Sequence, residues 1–204
     1  MAGTLSLATA PAVEPVSLEV AKKHLKFSHN SEDELVTAWI AAARELAESF
    51  TGRQLVGATW DLSLDTFPCG QLMLPRAPLL SVTSVKYLDT TGTEQTLAST
   101  VYRSKAFAGP QCRPGHLSLA YAQTWPAHQV VADAVTIRFV AGYSAQAATA
   151  AVAQAAVPMA IRQAMLLLLA EFDRRRSTAL QGTIITEVPL SARNLLAPFR
   201  VHVS

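Results

Sequence analysis

A chain of 204 residues suits one domain, or one domain with a sizeable insertion, and is long enough to bury a core without metal, cofactor or disulfide. Its net charge of +2, from 17 basic and 15 acidic residues, is too near balance for bulk electrostatics to imply a nucleic-acid or anionic-membrane ligand. The two cysteines, Cys69 and Cys112, form neither a CxxC nor a zinc spacing and read as free thiols.

Half of the residues are hydrophobic and 16% are charged. Either neighbouring subunits cover the apolar surplus, or alanine inflates it without making sticky surface. Residues 1–13 lack a basic n-region and a continuous apolar run, and are not read as a signal peptide. The longest strongly apolar run, residues 165–170, is far shorter than the roughly 20 residues of a membrane span.

Pro11 and Pro15 bracket an extended lead-in. Ser17 then caps a predicted helix over residues 18–27, with Leu18, Ala21 and Leu25 on one face and Lys22, Lys23 and Lys26 toward water. Ser31 and Glu34 have the capping-box spacing, and Glu32, Asp33 and Glu34 sit at the positive end of the next helix dipole. That helix spans residues 32–52, with a buried stripe of Leu35, Val36, Trp39, Ile40, Ala43, Leu46, Ala47 and Phe50 and a stop at Gly52.

From Thr59 the apolar period changes to two: Trp60, Leu62 and Leu64 alternate with polar residues, and so do Leu72 and Leu74. A strand around residues 82–87, a turn at 89–92 and a return over 93–97 read as a hairpin. Further strands are expected at 101–104, 116–121 and 134–140, giving an antiparallel sheet or small sandwich inserted between helices.

Residues 144–157, rich in Ala and Gln, are a loop or a weak helix. Pro158 opens the third major helix, residues 159–177, whose Ile161, Met165, Leu168, Leu169 and Phe172 face the core while Leu166 and Leu167 widen the stripe. The tail, residues 182–204, holds one short helix near 191–196 and reads as an extended arm ordered by contact. The chain thus divides into a helical arm (1–56), a β-rich insertion (57–143), an Ala-rich loop (144–157), a bundle helix (158–181) and a C-terminal arm (182–204). The fold class is α+β, a small helical bundle interrupted by antiparallel strands.

Catalytic constellations do not assemble. The serine context Gly142-Tyr143-Ser144-Ala145-Gln146 lacks the second glycine of a nucleophile elbow, and the five histidines, His24, His29, His116, His128 and His202, are scattered. No glycine loop cradles a phosphate. The acids at 32–34 are explained by the helix start. Arg174, Arg175 and Arg176 form the one basic cluster, able to touch phosphate or an acidic partner, although the favoured reading has them complementing the helix dipole and covering its apolar stripe. No catalytic, cofactor or metal residue is assigned, and the chain is read as a non-enzyme.

The segments 14–25, 41–55, 59–68, 74–85, 134–143 and 157–169, taken in succession, resemble the head-tail connector, or head-completion adaptor, family of tailed bacteriophages and phage-like particles. These are packing motifs, and their order along nearly the whole chain carries the likeness. The resemblance implies a ring of about twelve copies that docks under the portal protein and continues the DNA channel. It also implies a surface for the next tail component, such as a stopper or tail terminator, and passage of DNA without sequence-specific binding or a membrane. The protein would be made in the host cytoplasm and reside in the virion at the capsid–tail junction.

By the same resemblance the C-terminal segment engages the portal, giving Leu195, Leu196, Pro198, Phe199 and Arg200 an anchoring role, unless the tail folds back on its own helix. If it anchors, removing residues 194–204 leaves the domain folded. The alternative is a monomeric module whose β-rich region binds protein or carbohydrate, with Trp60, Trp125 and Tyr121 as stacking groups.

Overall fold

The computed structural model describes residues 3–178 and 189–201. Its elements in chain order are β1 (Thr4–Thr9), α1 (Leu18–Leu25), α2 (Asp33–Thr51), β2 (Ala58–Leu64), β3 (Leu72–Met73), β4 (Leu79–Leu88), β5 (Glu94–Thr96), β6 (Tyr102–Lys105), β7 (His116–Leu119), β8 (Val135–Ala141), α3 (Ala150–Ala156), α4 (Met159–Thr178) and α5 (Leu190–Leu196), followed by a 3-10 turn, Ala197–Phe199. The class is α+β, as the sequence pattern implies.

Helix α1 starts where Ser17 accepts a hydrogen bond from the Val20 N–H at 3.3 Å, and it ends on Lys26 in the left-handed region, φ 60°. Helix α2 begins differently from expectation. Glu32 is the residue preceding its first turn and no side chain caps it, because Ser31 bonds the His29 ring at 2.7 Å instead. Asp33 and Glu34 still place negative charge in the first turn, where the dipole favours it. Gly52 ends the helix at φ 69°, a conformation that glycine adopts without Cβ strain.

The apolar faces of α1, α2, α3, α4 and α5 meet in one core built from Val36, Ile40, Ala43, Ala47, Ile161, Met165, Leu168 and Leu169, closed by Ala192, Leu196 and Phe199. Leu46, placed on the buried stripe by its spacing, is exposed, since the stripe is narrower than the apolar run.

A second core fills the β region. The five-stranded sheet has the order β1-β2-β8-β4-β5, all pairs antiparallel, and a three-stranded sheet has the order β3-β7-β6. Leu62 opposite Ile137 and Leu64 opposite Val135 send alternate residues inward, as a two-residue period requires. Strand β1 was not foreseen, because its residues Leu5 and Leu7 alternate over only six positions and its order comes from the edge of β2.

The two cores meet where the chain crosses itself. A Cβ on Gly142, which lies at φ 143°, would sit 2.6 Å from the Gly57 N, and a Cβ on Gly57 would sit 2.6 Å from the Ser144 carbonyl oxygen. Only hydrogen fits at either position, so these glycines set how closely β2 and the end of β8 approach.

Of the two readings of residues 144–157, loop or weak helix, the structure takes the second over its latter half: α3 is short, lacks a side-chain cap and buries Ala153. The tail reads in sequence as an extended arm ordered by contact, with folding back on its own helix as the alternative; residues 189–201 take the alternative, as α5 and the 3-10 turn pack against α4 and α2 because Ala192, Leu196 and Phe199 find the open end of the helical core. The remainder of the proposed arm, residues 182–188 and 202–204, lies outside the described residues.

Candidate assembly interface

The sequence ends its α2 helix with Gly52-Arg53-Gln54, and this tripeptide ties the halves of the molecule together. Arg53 is 2% exposed; its Nε donates to the Phe199 carbonyl and its Nη1 approaches Cys112 Sγ at 3.7 Å. Next to it the Gln54 N–H donates to the Ala77 carbonyl at 2.9 Å, and the Val201 N–H donates to Thr51 at 2.8 Å. One buried guanidinium therefore links α2, the β region and the C-terminal turn, supplying donors that a carbonyl and a thiol absorb.

This lock sorts the five C-terminal candidates. Leu196 and Phe199 are 0% and 7% exposed inside their own core, Leu195 is half-buried, and Pro198 and Arg200 face outward, with Arg200 5.7 Å from the Phe50 ring centre. Leu196 and Phe199 position the turn, and Leu195, Pro198 and Arg200 form what it presents.

The arginine cluster is likewise engaged within the chain. Arg174 and Arg175 pair with Glu171 at 2.7 and 2.6 Å, and Arg176 pairs with Glu32 at 2.7 Å while lying 5.8 Å from the Trp39 ring centre. The bonds from Arg174 and Arg175 hold the Glu171 carboxyl below its ordinary range. Arg176 thus clasps α4 to the start of α2. Arg174 remains 75% exposed.

Between the β region and the α3–α4 corner lies an open groove of about 860 Å³, walled by Leu79, Leu80, Phe107, Pro110 and Met159 and floored in part by Arg162. Arg162 Nε is buried without a partner among the described residues. Tyr143 closes one side by donating its hydroxyl to the Pro110 carbonyl; burial pushes its pKa up to about 12, so it stays a donor at any physiological pH.

A polar hub underlies the junction of α2 with β2. Glu48 accepts from Gln54 Nε2 at 2.7 Å, the Leu55 N–H at 3.0 Å and Arg44 at 3.1 Å; Arg44 also bonds Glu14 at 2.9 Å, and Trp60 Nε1 donates to Gln54 at 3.1 Å. Burial outweighs these partners and raises the pKa of Glu48 and, less enclosed, of Glu14. Both Glu48 oxygens are occupied by donors of the fold itself, so the hub is a packing device and not a general acid aimed at a substrate. Among the described residues no three His, Cys, Asp or Glu side chains group as metal ligands, and no single helix is long and apolar enough to cross a membrane.

The aromatic residues of the binding-module reading are not gathered on a platform. Trp60 lies under Arg76, 4.8 Å from its guanidinium; Trp125 stacks on Phe67 at 4.6 Å and donates to the Pro68 carbonyl; only Tyr121, 93% exposed, stands open.

Comparison with known proteins matches residues 15–87 to a family model described as phage gp6-like head-tail connector protein. Among solved structures, a chain from the neck of an empty gene transfer agent particle, computed with C6 symmetry, has a TM-score of 0.78 at 21% identity, covering 98% of this chain and 97% of that one. A chain from the virion of a native gene transfer agent particle has a TM-score of 0.75 at 22% identity, and one from a native neck computed with C12 symmetry 0.69 at 22%, with the same coverage. Comparison with curated protein sequences returns no match. The resemblance read from the packing motifs therefore extends to the fold of nearly the whole chain.

Proposed function

We propose that the chain is a structural head-tail adaptor of a tailed phage or phage-like particle. Copies of it form a ring under the portal protein, extend the DNA channel, and link the capsid to the next tail component, such as a stopper or tail terminator. The observation that carries this reading is the end-to-end likeness, in both directions, to chains of gene-transfer-agent necks, joined to the connector match over residues 15–87. The C12 symmetry of one such neck supports twelve copies. The protein acts by assembly at the capsid–tail junction of the virion and not by catalysis; it is made in the host cytoplasm.

A ring built from identical subunits needs two different surfaces that meet head to tail. The outward face of the C-terminal turn, Leu195, Pro198 and Arg200, is the portal-facing surface in this reading, held in shape by Leu196, Phe199 and Arg53. DNA passes through the channel without sequence readout. The test is co-purification with the portal encoded in the same genome. A stable complex whose mass fits a ring of adaptors supports the proposal, and two separate species under conditions where the portal ring is intact overturn it.

A further inference from the structure

We propose that the outer face of the three-stranded sheet contacts the phosphate backbone of double-stranded DNA. The adaptor reading supplies the DNA; the surface itself is read from the charges.

Residues 95–132 contain no Asp or Glu, yet they carry Arg103, Lys105 and Arg113. The register of β6 on β7 sets Arg103 opposite Ser118 and Lys105 opposite His116, while the intervening Ser104 lies opposite Leu117, which is fully buried. Arg103 and Lys105 therefore share the exposed face with His116, about 7 Å apart along the strand. Arg113 joins them from the loop before β7: its guanidinium lies 4.3 Å from the Phe107 ring centre, with Lys105 Nζ 5.4 Å from that same centre and the His116 ring 5.8 Å away.

Two like charges are thus gathered on one ring. None of the three forms an ion pair among the described residues, whereas the exposed cations of the larger sheet are matched, Lys86 with Glu94 at 2.8 Å and Arg138 with Asp61 at 2.7 Å. A polyanion relieves the repulsion that the fold leaves in place. Phe107 is occupied by cations instead of being open to stack a base. That make-up suits backbone contact without sequence preference. Repeated around a ring, the face would hold packaged DNA through many weak contacts although each chain is nearly neutral.

The experiment is fluorescence anisotropy of a labelled random-sequence duplex titrated with the full chain across a salt series. The wild-type chain is expected to bind at low salt. The variant Arg103→Gln/Lys105→Gln/Arg113→Gln should weaken binding at least about tenfold and flatten the log–log salt slope by about 2 to 3. The charge-keeping Arg103→Lys/Lys105→Arg/Arg113→Lys should retain binding, and Lys23→Gln/Lys26→Gln, an equal kind of charge change on and just after α1, which packs on α2 and α4, should leave it alone. If the triple Gln variant does not fold, Arg103→Glu alone reads the same loss. Absence of wild-type binding, or an unchanged salt slope in a folded variant, overturns the proposal. Ring formation on the portal is scored separately. A variant that forms rings but loses DNA affinity supports it, one that keeps DNA affinity but loses rings overturns it in favour of a protein contact, and failure of the wild type to form rings counts against the adaptor reading alone.

Discussion

Arg53 and Phe199 lie 146 residues apart in sequence, and the buried guanidinium of one donates to the backbone carbonyl of the other. The C-terminal turn is thereby part of the fold and not an appendage to it. Arg53→Ala strips a buried carbonyl of its donor and opens a cavity, and should cost about 3 to 5 kcal/mol, read as a lowered midpoint in urea unfolding. Arg53→Lys should recover only part of this, since a single ammonium cannot span Phe199 and Cys112 together.

Truncation after Arg193 now carries a different expectation from the one the sequence gives alone. Losing Leu196 and Phe199 removes two buried side chains from the helical core. Phe199→Ala should cost about 3 to 5 kcal/mol, and the truncated chain should melt well below the full one. The double variant Pro198→Ala/Arg200→Gln should melt within about 0.5 kcal/mol of wild type while weakening attachment to the portal. Calorimetry alongside co-purification separates these two effects.

The succession of helices, the period-two strands and the third helix were legible because Ile40, Leu62, Ile137 and Leu168 repeat at the spacing their elements demand. What stayed hidden depends on distant partners. Strand β1 needs the edge of β2, the docking of the tail helix, though not the helix itself, needs the open end of the bundle, and Ser31 fails to cap α2 because His29 competes for it. The basic face of the small sheet was invisible to a count of net charge, because it arises from segregation of charges and from the register of β6 on β7. The Arg174–Arg176 cluster stood out in the sequence, and so could the nearby Glu171, yet the Glu32 that pairs with Arg176 is 144 residues away.

Gly57→Ala should destabilise strongly. Its Cβ would meet the Gln146 N at 2.5 Å and the Ser144 carbonyl oxygen at 2.6 Å, atoms of backbone that cannot swing aside. A loss of at least about 2 kcal/mol is expected, whereas Gly70→Ala, with open space around it, should be near neutral. Paired thermal melts check this.

Stability should also depend on pH through Glu48. Its folded pKa lies above its ordinary 4.5 because burial disfavours the charge, so the native state binds the proton more tightly than the unfolded chain. Stability from this group is full below 4.5 and declines as pH rises through the raised value. Glu14, Arg44, Gln54, Trp60 and Arg76 surround it. Asp89 acts oppositely: bonds from Thr91 and the Thr93 N–H lower its pKa from 3.8 to about 2, so its contribution is present above 3.8 and is lost as pH falls toward 2. Melting temperature against pH for wild type and Glu48→Gln should differ in slope on the side above 4.5 and run parallel below it.

The most direct measurement of the central claim is electron microscopy of the purified protein mixed with the portal of the same genome, with class averages viewed down the axis. The adaptor account expects a ring stacked on one end of the portal, with twelvefold symmetry and the C-terminal turn at the contact. An intact portal that recruits no ring, with this chain remaining monomeric beside it, would contradict the account and leave the likeness one of fold.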